Sequence, residues 1–455
     1  MLLLTTKFKS LLSFLLFLLS SAVFAVETVT VDDGEYKGWV FIKNGDGTYS
    51  LISIPGDYEP AGGVLTIPDK INDITVSGVV AQDTVGIVGH IENGVFSSNP
   101  YIQEVVINSH IKSIGSNAFA YCSDLTKVTF DSGVNIEAIG DYAFAGCTSL
   151  ESIKLPEGVK VIGQCAFQSC KMLKSVTFPS SLVSIGSSAF QWCTVLNNVK
   201  FPASLESIGS YAFEQCSSLK AVTIPASVNV IGQNAFQYCK TLASVTIEDS
   251  KTNKNRVIEQ WAFTQTAVSS IYIPGSVSVV QNNAFDCCPN LSTVVIGDGV
   301  DEIQSGAFGK CGNLSNVTFQ AKSNPPTIAA GAFTDWRISN GNVTINTPSD
   351  ADYKINLKDG SLSVSKKEET ENPDPENPDP ENPDPENPDP ENPNPENPNP
   401  ENPDPEKPLS VKESSASVSP VAYYSLSGAR LSAPLRGSVA IAVYSDGSAR
   451  KLLVR

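Results

Sequence analysis

One phrase recurs through most of the chain at a nearly constant interval, and this period restricts the fold more than any other feature. "SIGSSAFQWCTVLNNVKFPASL" begins at Ser184, and "SIGSYAFEQCSSLKAVTIPASV" follows at Ser207. The phenylalanine of the phrase recurs eleven times, at positions 96, 119, 144, 167, 190, 213, 236, 263, 285, 308 and 333. Intervals of 22 to 27 residues, most often 23, indicate a solenoid of stacked units and not a globular domain.

Each unit contains one strand signal and one turn signal. In "VTIP", Val222 and Ile224 point to one face of a strand because strand side chains alternate, and Pro225 ends the strand because it lacks an amide proton. Each unit also has four apolar residues at spacings near three, which suits a short helical or 3₁₀ turn. In one unit they are Ala212, Phe213, Cys216 and Leu219. One unit cannot bury its apolar face alone, so we predict stacked rungs whose strands form a parallel sheet around one continuous core.

The glycine that follows isoleucine in most units has two possible roles. It occupies positions 115, 140, 163, 186, 209 and 232, but Glu259, Gln281 and Gln304 fill the same slot in later units. A required left-handed backbone would make those three residues costly. We therefore expect close packing, or a permissive turn, at this glycine.

The units resemble the BspA-like leucine-rich repeats of bacterial surface proteins, which share the pattern IGxxAFxxCxxLxxVxIP. The resemblance covers about residues 64–346 and implies a β-rich solenoid of about eleven units, with a parallel sheet on its concave side. It also implies an adhesin-like role, with attachment to matrix proteins or to other cells. The expected organisation is a signal peptide at 1–25, an N-terminal β cap at 26–63, the solenoid at 64–346, a C-terminal cap and exit at 347–370, a linker at 371–407 and a small β domain at 408–455.

Ten cysteines in a secreted chain would ordinarily suggest disulfides. Eight of them, however, lie three residues after the repeat phenylalanine, so their side chains should point in parallel along one column, whereas a disulfide needs converging Cβ atoms. We interpret the column as small buried apolar residues. Only Cys165 and the adjacent Cys287 and Cys288 offer other geometries, and whether any of these forms a bridge stays open.

The two ends of the chain carry export signals. Lys7 and Lys9 precede the apolar run Leu11–Leu19, and Val23 and Ala25 are the small residues before a cleavage site, which is typical of a secretory signal peptide. A membrane anchor is the weaker alternative, because the apolar core is shorter than a span of about 20 residues. We expect a secreted, extracellular or outer-membrane cell-surface protein with no integral span in its mature chain.

Residues 371–407 repeat the pentads ENPDP and ENPNP and hold eight Glu, five Asp and one Lys. Two prolines in five residues favour an extended polyproline-like form, so we interpret the segment as a stalk or a flexible spacer. The tail after it has short apolar strands between Gly-containing turns. Its "YYSLSGARL" from Tyr423, the pair Arg436–Gly437 and its final "SDGSARKLLVR" resemble the sorting domains of the Bacteroidetes type IX secretion system. The resemblance implies passage across the outer membrane, followed by release or attachment, although "SVAIAVY" departs from the usual pattern.

Nothing in the sequence points to catalysis. There are two histidines, no nucleophile elbow, no phosphate-binding glycine loop and no Cys-x-x-Cys, so we expect neither an enzyme nor a cofactor nor a metal site. The net charge of −17 argues against nucleic-acid binding, which needs a basic face.

A binding surface remains. The residue between the two apolar strand positions should face outward on the sheet, and we call this row the Thr-Lys strip: Thr129, Lys154, Thr177, Lys200, Thr223, Thr246 and Tyr272, continued by Val295 and Thr318. Threonine is also simply a good exposed strand residue. Tyr121, Trp192 and Tyr238 share one turn-side slot, where they form either an exposed patch or local packing. The sequence thus predicts a non-catalytic, monomeric solenoid that binds an extracellular protein, or alternatively a glycan in polysaccharide capture.

Overall fold

The computed structural model describes residues 28–32, 34–44, 48–68, 76–77, 88–334, 343–358 and 361–367, together with four strands between 420 and 453. The expected signal peptide at 1–25 and the linker at 371–407 lie outside the described residues. The chain divides into two compact units, Met1–Lys367 and Glu368–Arg455. We describe each unit by itself.

The regular elements of the first unit, within its described residues, are short strands and one 3₁₀ turn at Ala61–Gly63. Its strands are β1 Thr28–Val31, β2 Val40–Lys43, β3 Tyr49–Ser53, β4 Val64–Thr66, β5 Val76–Ser77, β6 Val88–Ile91, β7 Glu104–Ile107, β8 Ser113–Ile114, β9 Lys127–Phe130, β10 Ala138–Ile139, β11 Ser152–Lys154, β12 Val161–Ile162, β13 Ser175–Thr177, β14 Ser184–Ile185, β15 Ser207–Ile208, β16 Ala221–Ile224, β17 Val230–Ile231, β18 Ser244–Ile247, β19 Arg256–Ile258, β20 Ser270–Ile273, β21 Val277–Val280, β22 Thr293–Ile296, β23 Glu302–Ile303, β24 Asn316–Phe319, β25 Thr327–Ile328, β26 Thr344–Asn346, β27 Tyr353–Lys358 and β28 Ser361–Lys366.

The predicted parallel β-solenoid is confirmed, but most rungs contribute two strands to it and not one. The first is the predicted V-x-I strand, and the second is a two- to four-residue strand centred on the isoleucine that precedes the glycine slot. The second strands form the larger sheet, which we call the SI ladder. Its fifteen strands run in the order β25-β23-β21-β19-β17-β15-β14-β12-β10-β8-β6-β3-β2-β1-β5. Equivalent residues lie side by side, as in Ile185 beside Ile208, because a parallel register repeats every rung.

The V-x-I strands form a second parallel ladder, which is interrupted twice. One sheet runs β13-β11-β9-β7-β4, the next pairs β16 with β18, and the last runs β20-β22-β24-β26. Within each sheet the rungs again lie in register, for example Val222 beside Val245. The two ladders therefore form two sides of most rungs. The turn segments around the repeat phenylalanine form the third side.

The turn side differs from the helical or 3₁₀ turn that the spacing suggested. Bonds of the expected i-to-i+3 kind are present, since Ala212 N donates to Gly209 O at 3.2 Å and Cys216 N donates to Phe213 O at 3.1 Å. Left-handed residues interrupt them at Tyr211 and Gln215, whose φ angles are 61° and 60°. Because a left-handed residue ends a run of helical dihedrals, the segment is a chain of β-turns.

These left-handed residues connect neighbouring rungs. The Tyr211 amide donates to Gln233 O at 2.8 Å and the Gln215 amide donates to Gln237 O at 2.9 Å, both one rung further along. A non-glycine residue in this conformation costs of the order of 1–2 kcal/mol. The bonds between rungs give these two amides a hydrogen-bond acceptor, and this gain offsets the conformational cost.

The eleven repeat phenylalanines form one continuous file through the core. Successive ring centroids lie 4.9–5.4 Å apart with interplanar angles of 3–14°. Parallel rings at this separation are offset and not face to face, which is the favoured arrangement. At the N-terminal end Trp39 continues the file, with its ring 5.8 Å from that of Phe96. The predicted single core is thereby confirmed.

The ends of the solenoid are covered by other elements. The antiparallel strands β1, β2 and β3 bury Trp39, Phe41 and Tyr49 beside the first rungs. At the other end β27 and β28 pair antiparallel, and the Tyr353 hydroxyl donates to Ala321 O at 2.7 Å. Covered ends matter because an open parallel ladder is a template for further strands.

The second unit contains four described strands, β29 Pro420–Tyr424, β30 Arg430–Leu431, β31 Val439–Tyr444 and β32 Ala449–Leu453. They form one antiparallel sheet in the order β30-β29-β31-β32.

The glycine slot is a site of close packing, as expected. None of the six glycines has a positive φ, and a Cβ added to Gly209 would lie 2.6 Å from the Ser187 amide nitrogen of the preceding rung. Backbone cannot yield as a flexible side chain does, so this contact should tolerate no methyl group.

We therefore expect Gly209→Ala to lower the stability of the solenoid by about 1–3 kcal/mol, which is the usual cost of overpacking. The matched control is Gly312→Ala, because a Cβ there would meet nothing within 4 Å. Thermal unfolding followed by circular dichroism should show a lower midpoint for Gly209→Ala alone. Equal midpoints for the two variants would show that the slot is not packed in this way.

Candidate functional site

The Thr-Lys strip lies along the outward side of the V-x-I ladder. Alternation within each strand produces this orientation, because Ile153 and Leu155 are buried on either side of the exposed Lys154. Six members of the strip are exposed, and Thr129 is half-buried. Val295 and Thr318, further along the row, are also half-buried. The ligand-binding role of these residues stays a prediction.

Strand register brings some members of the strip together and leaves others apart. Lys154 lies beside Thr177, and Thr223 lies beside Thr246. Lys200 belongs to no strand, since its V-x-I segment pairs with the preceding one through an isolated bridge between Ser175 and Asn198. The strip is therefore a row in three pieces and not a uniform ladder.

The pieces are separated by two gaps in hydrogen bonding. Elsewhere each rung donates to the one before it, as Lys174 N does to Glu151 O at 2.8 Å and Ala243 N to Lys220 O at 3.0 Å. Within the described stretch 88–334, no backbone hydrogen bond joins residues 197–201 to 220–224, and none joins 243–247 to 269–273. Sequence reasoning missed both gaps.

A shallow cleft lies at each gap. The first has a volume of about 440 Å³ and is lined by residues that include Lys200, Phe201, Thr223 and Glu248. The second, of about 350 Å³, is lined by Ser244, Thr246, Ser270 and Tyr272 among others. Each cleft thus opens beside members of the strip.

The insert Glu248–Arg256 follows β18 and accounts for the 27-residue interval between Phe236 and Phe263. Its first residue, Glu248, lines the first cleft. Its last residue, Arg256, is buried and begins β19, so it is not part of a solvated loop. The guanidinium donates to Val228 O at 2.6 Å, to Pro225 O at 3.1 Å and to Glu248 O. Burial lowers the pKa of Arg256, and the charges of Asp249 and Glu248 oppose part of that shift.

Charge is unevenly distributed along the strip. Lys127 and Lys174 form ion pairs with Glu104 and Glu151 of the preceding rungs at 2.9 and 3.1 Å. Within the described residues 88–334, no such ion pair is formed by three other exposed lysines on this side: Lys154, Lys200 and Lys220.

Two carboxylates of the insert lie along the same face, and one of them, Glu248, lines the first cleft together with Lys200. Asp249 Oδ1 accepts from Ser276 N at 3.3 Å, and Glu248 Oε2 accepts from Ala226 N at 3.2 Å. Burial, together with the charge of Asp249, raises the pKa of Tyr272. The strip thus runs from unpaired cations to the exposed ring of Tyr272, and the turn after that strand donates a hydrogen bond to Asp249.

Comparison with known proteins identifies the repeat. The family model described as "BspA type Leucine rich repeat region" matches residues 89–170, 137–257 and 250–351, which together span more than half of the chain. The chain belongs to this family. Among curated proteins none matches it in sequence.

Three solved structures are similar to the chain. A leucine-rich repeat protein from Bacteroides ovatus is 23% identical, with a TM-score of 0.49 over 72% of this chain and 79% of that one. A leucine rich cell surface protein from Faecalibacterium prausnitzii is 26% identical, with a TM-score of 0.35 over 70% and 76%. The pneumococcal vaccine antigen PcpA is 20% identical, with a TM-score of 0.38 over 71% and 94%.

The cysteines of these BspA-type repeats are free thiols that bond to main chain. All ten are unbridged, and the eight of the column are fully buried. Each column thiol donates to the carbonyl of the phenylalanine one rung back, as Cys239 Sγ does to Phe213 O at 3.1 Å. Because Cys216 N also donates to Phe213 O, both lone pairs of that carbonyl are used. The column is thus more than apolar filling.

The turn-side aromatic slot lies apart from both clefts. Tyr121 and Trp192 are 61% and 43% exposed, and Tyr238 is half-buried. The Tyr121 ring nevertheless packs on the next rung, since a Cβ added to Gly146 would meet it at 2.5 Å. Exposure and local packing therefore coexist at Tyr121.

Two other features are absent from the part of the chain that the structure describes. No group of three His, Cys, Asp or Glu is arranged there to hold a metal ion. No helix in that part is long and apolar enough to cross a bilayer.

The burial of the thiols predicts their reactivity. Burial raises the pKa of Cys193 to about 12, and burial with the Asp286 contact raises that of the half-buried Cys287 to about 11. Thiolate is the reactive form, and a raised pKa keeps it scarce at neutral pH. We expect iodoacetamide to label only Cys287 in the native protein, faster as the pH rises towards 11, and all ten cysteines in denaturant. Peptide mass spectrometry that found native labelling in the column would contradict this assignment.

Proposed function

We propose that this protein is a non-catalytic, secreted or cell-surface leucine-rich repeat protein that binds a protein ligand through the Thr-Lys strip. The observation that carries the proposal is the strip itself, where an exposed row of hydroxyl and ammonium groups runs past two clefts. A face of this kind presents hydrogen-bond donors and acceptors on rigid strands. Repeat solenoids commonly use such extended faces for binding.

Protein is favoured over glycan as the ligand because of where the aromatic residues lie. A sugar-binding groove usually offers several aromatic faces for stacking, but Tyr121 and Trp192 line neither cleft. The second candidate, a glycan-binding protein in polysaccharide capture, is supported by Tyr272, which is 44% exposed at the second cleft. A single ring supports a weaker sugar site than a row of rings.

The proposed location rests on the two ends of the chain. The leader at 1–25 has the charge, apolar core and small residues of a signal peptide. The tail at 408–455 resembles a type IX sorting domain, and its strands pair in an antiparallel sheet, as expected for a small β domain. Export across the outer membrane through this tail is part of the proposal.

The binding role predicts that a change confined to the strip removes ligand capture. We expect the triple variant Lys154→Ala, Lys200→Ala, Tyr272→Ala to lose at least about tenfold in apparent affinity, because it removes three exposed contacts worth together more than about 1.4 kcal/mol. The measurement is binding of the full chain to an array of matrix proteins and glycans.

A matched control changes equally exposed residues elsewhere: Lys171→Ala, Lys240→Ala and Tyr101→Ala, of which Tyr101 is 44% exposed like Tyr272. The control should bind as the unchanged protein does. If the strip variant bound every array member normally, the strip would be eliminated as the site. Capture of glycans alone would favour the second candidate.

The export role makes a separate prediction. Deleting residues 409–455 should leave the protein in the periplasm, because a receptor-read address would be lost while the signal peptide is kept. Fractionation followed by immunoblotting measures the location, and protease resistance of the retained solenoid controls for misfolding. Normal appearance of the shortened chain outside the cell would reject the sorting-domain assignment.

A further inference from the structure

We propose that the strip recognises one class of ligand, an extended polypeptide segment that carries acidic residues at one end and a basic residue about four to five positions away. The inference rests on the proposed function, since it names the chemistry of the ligand at the same strip. It follows from the polarity of charge along the strip and from the position of the two clefts.

The lysine end supplies the site for acidic residues. Lys154, Lys200 and Lys220 are exposed, and no carboxylate in the described stretch 88–334 pairs with them. Their neighbours Lys127 and Lys174 are already paired between rungs. An acidic ligand therefore meets free ammonium groups here, whereas elsewhere on this face it would have to break existing ion pairs.

The opposite end supplies the site for a basic residue. Tyr272 presents an exposed ring at the second cleft, and the carboxylate of Asp249 accepts from Ser276 N, in the turn after the same strand, at 3.3 Å. A ligand cation over a tyrosine face gains about 0.5–1 kcal/mol at an exposed site, and a neighbouring carboxylate adds to that attraction. Thr246 and Ser270 border the same cleft with hydroxyl groups that bond a ligand backbone.

The distance between the two ends determines the spacing of charges in the ligand. Lys200 and Tyr272 are three rungs apart, which at about 4.8 Å per rung is roughly 15 Å. An extended chain advances about 3.3 Å per residue, so four to five residues cover that distance. A ligand that runs along the strip crosses both gaps, where strand backbone groups lack a partner across the ladder.

A polypeptide fits this pattern better than an acidic polysaccharide does. An anionic glycan would satisfy Lys154 and Lys200 but would be repelled by Asp249, which would find no cation in such a ligand. The net charge of −17 adds a general repulsion of polyanions. Both ends of the strip are satisfied only when the ligand carries both signs of charge.

The test selects ligands from a random library of displayed 12-residue peptides on the full chain. We expect the bound pool to be enriched at least about tenfold over the input in acidic and basic residues about four to five positions apart. Selection on the double variant Lys154→Glu, Lys200→Glu should lose this enrichment and favour basic residues instead. The control variant Lys171→Glu, Lys240→Glu reverses two exposed turn-side charges and should return the original pool.

A blocking variant, Thr223→Trp, separates this inference from the proposed function, because Thr223 lies mid-strip beside the first cleft. If the selected peptides fail to bind Thr223→Trp but lack the spaced charge pair, the inference is overturned and binding at the strip stands. A pool that binds the blocked variant equally well overturns both. The inference is also overturned if the double variant Lys154→Glu, Lys200→Glu still selects peptides with the spaced charge pair.

Discussion

The spacing between neighbouring parallel strands, about 4.8 Å, is the constraint on which the rest of this structure depends. Every side chain in a rung must stack on its equivalent one rung away at that distance. The phenylalanine rings do so at 4.9–5.4 Å, and the glycine slot does so because no Cβ intervenes between its backbone and the preceding rung. A residue that suits one rung therefore suits most of the others, which explains why the sequence pattern repeats so closely, although Glu259, Gln281 and Gln304 replace the glycine in later rungs.

The same stacking explains the unusual turn side. A turn that must return the chain within one rung places two residues in left-handed conformations, and its carbonyls point along the stack. The next rung then supplies the donors, with main-chain amides in most places and the thiol of the cysteine column at the phenylalanine carbonyl. Thr266 occupies the cysteine slot in one rung, and its hydroxyl donates to the carbonyl of Phe263 in its own rung. Cysteine supplies the bond to the preceding rung in eight rungs, whereas Thr266 bonds within its own rung.

How much of this was predictable depends on whether a feature repeats in the sequence. The rung, the phenylalanine file, the packed glycine and the direction of Lys154 or Thr177 all follow from period and alternation. The SI ladder does not, since a two-residue strand such as Ser184–Ile185 is too short to show alternation. The left-handed positions hold Tyr211, Gln215 and other unlike residues, so composition does not reveal them. The gaps in the V-x-I ladder depend on hydrogen-bond geometry between rungs, so the sequence predicted neither of them.

A perfectly regular solenoid face would present the same contacts at every rung and would bind an extended ligand in many equivalent registers. The irregular features remove that degeneracy. The two gaps, the buried Arg256 that anchors the insert and the change from lysine to tyrosine along the strip all occur within a few neighbouring rungs. Specific recognition on a repeated scaffold requires such a local departure from the repeat, because only there does one position along the face differ from the next. The stretch from Lys154 to Tyr272 is where this chain combines a rigid repeated interior with a non-repeating surface.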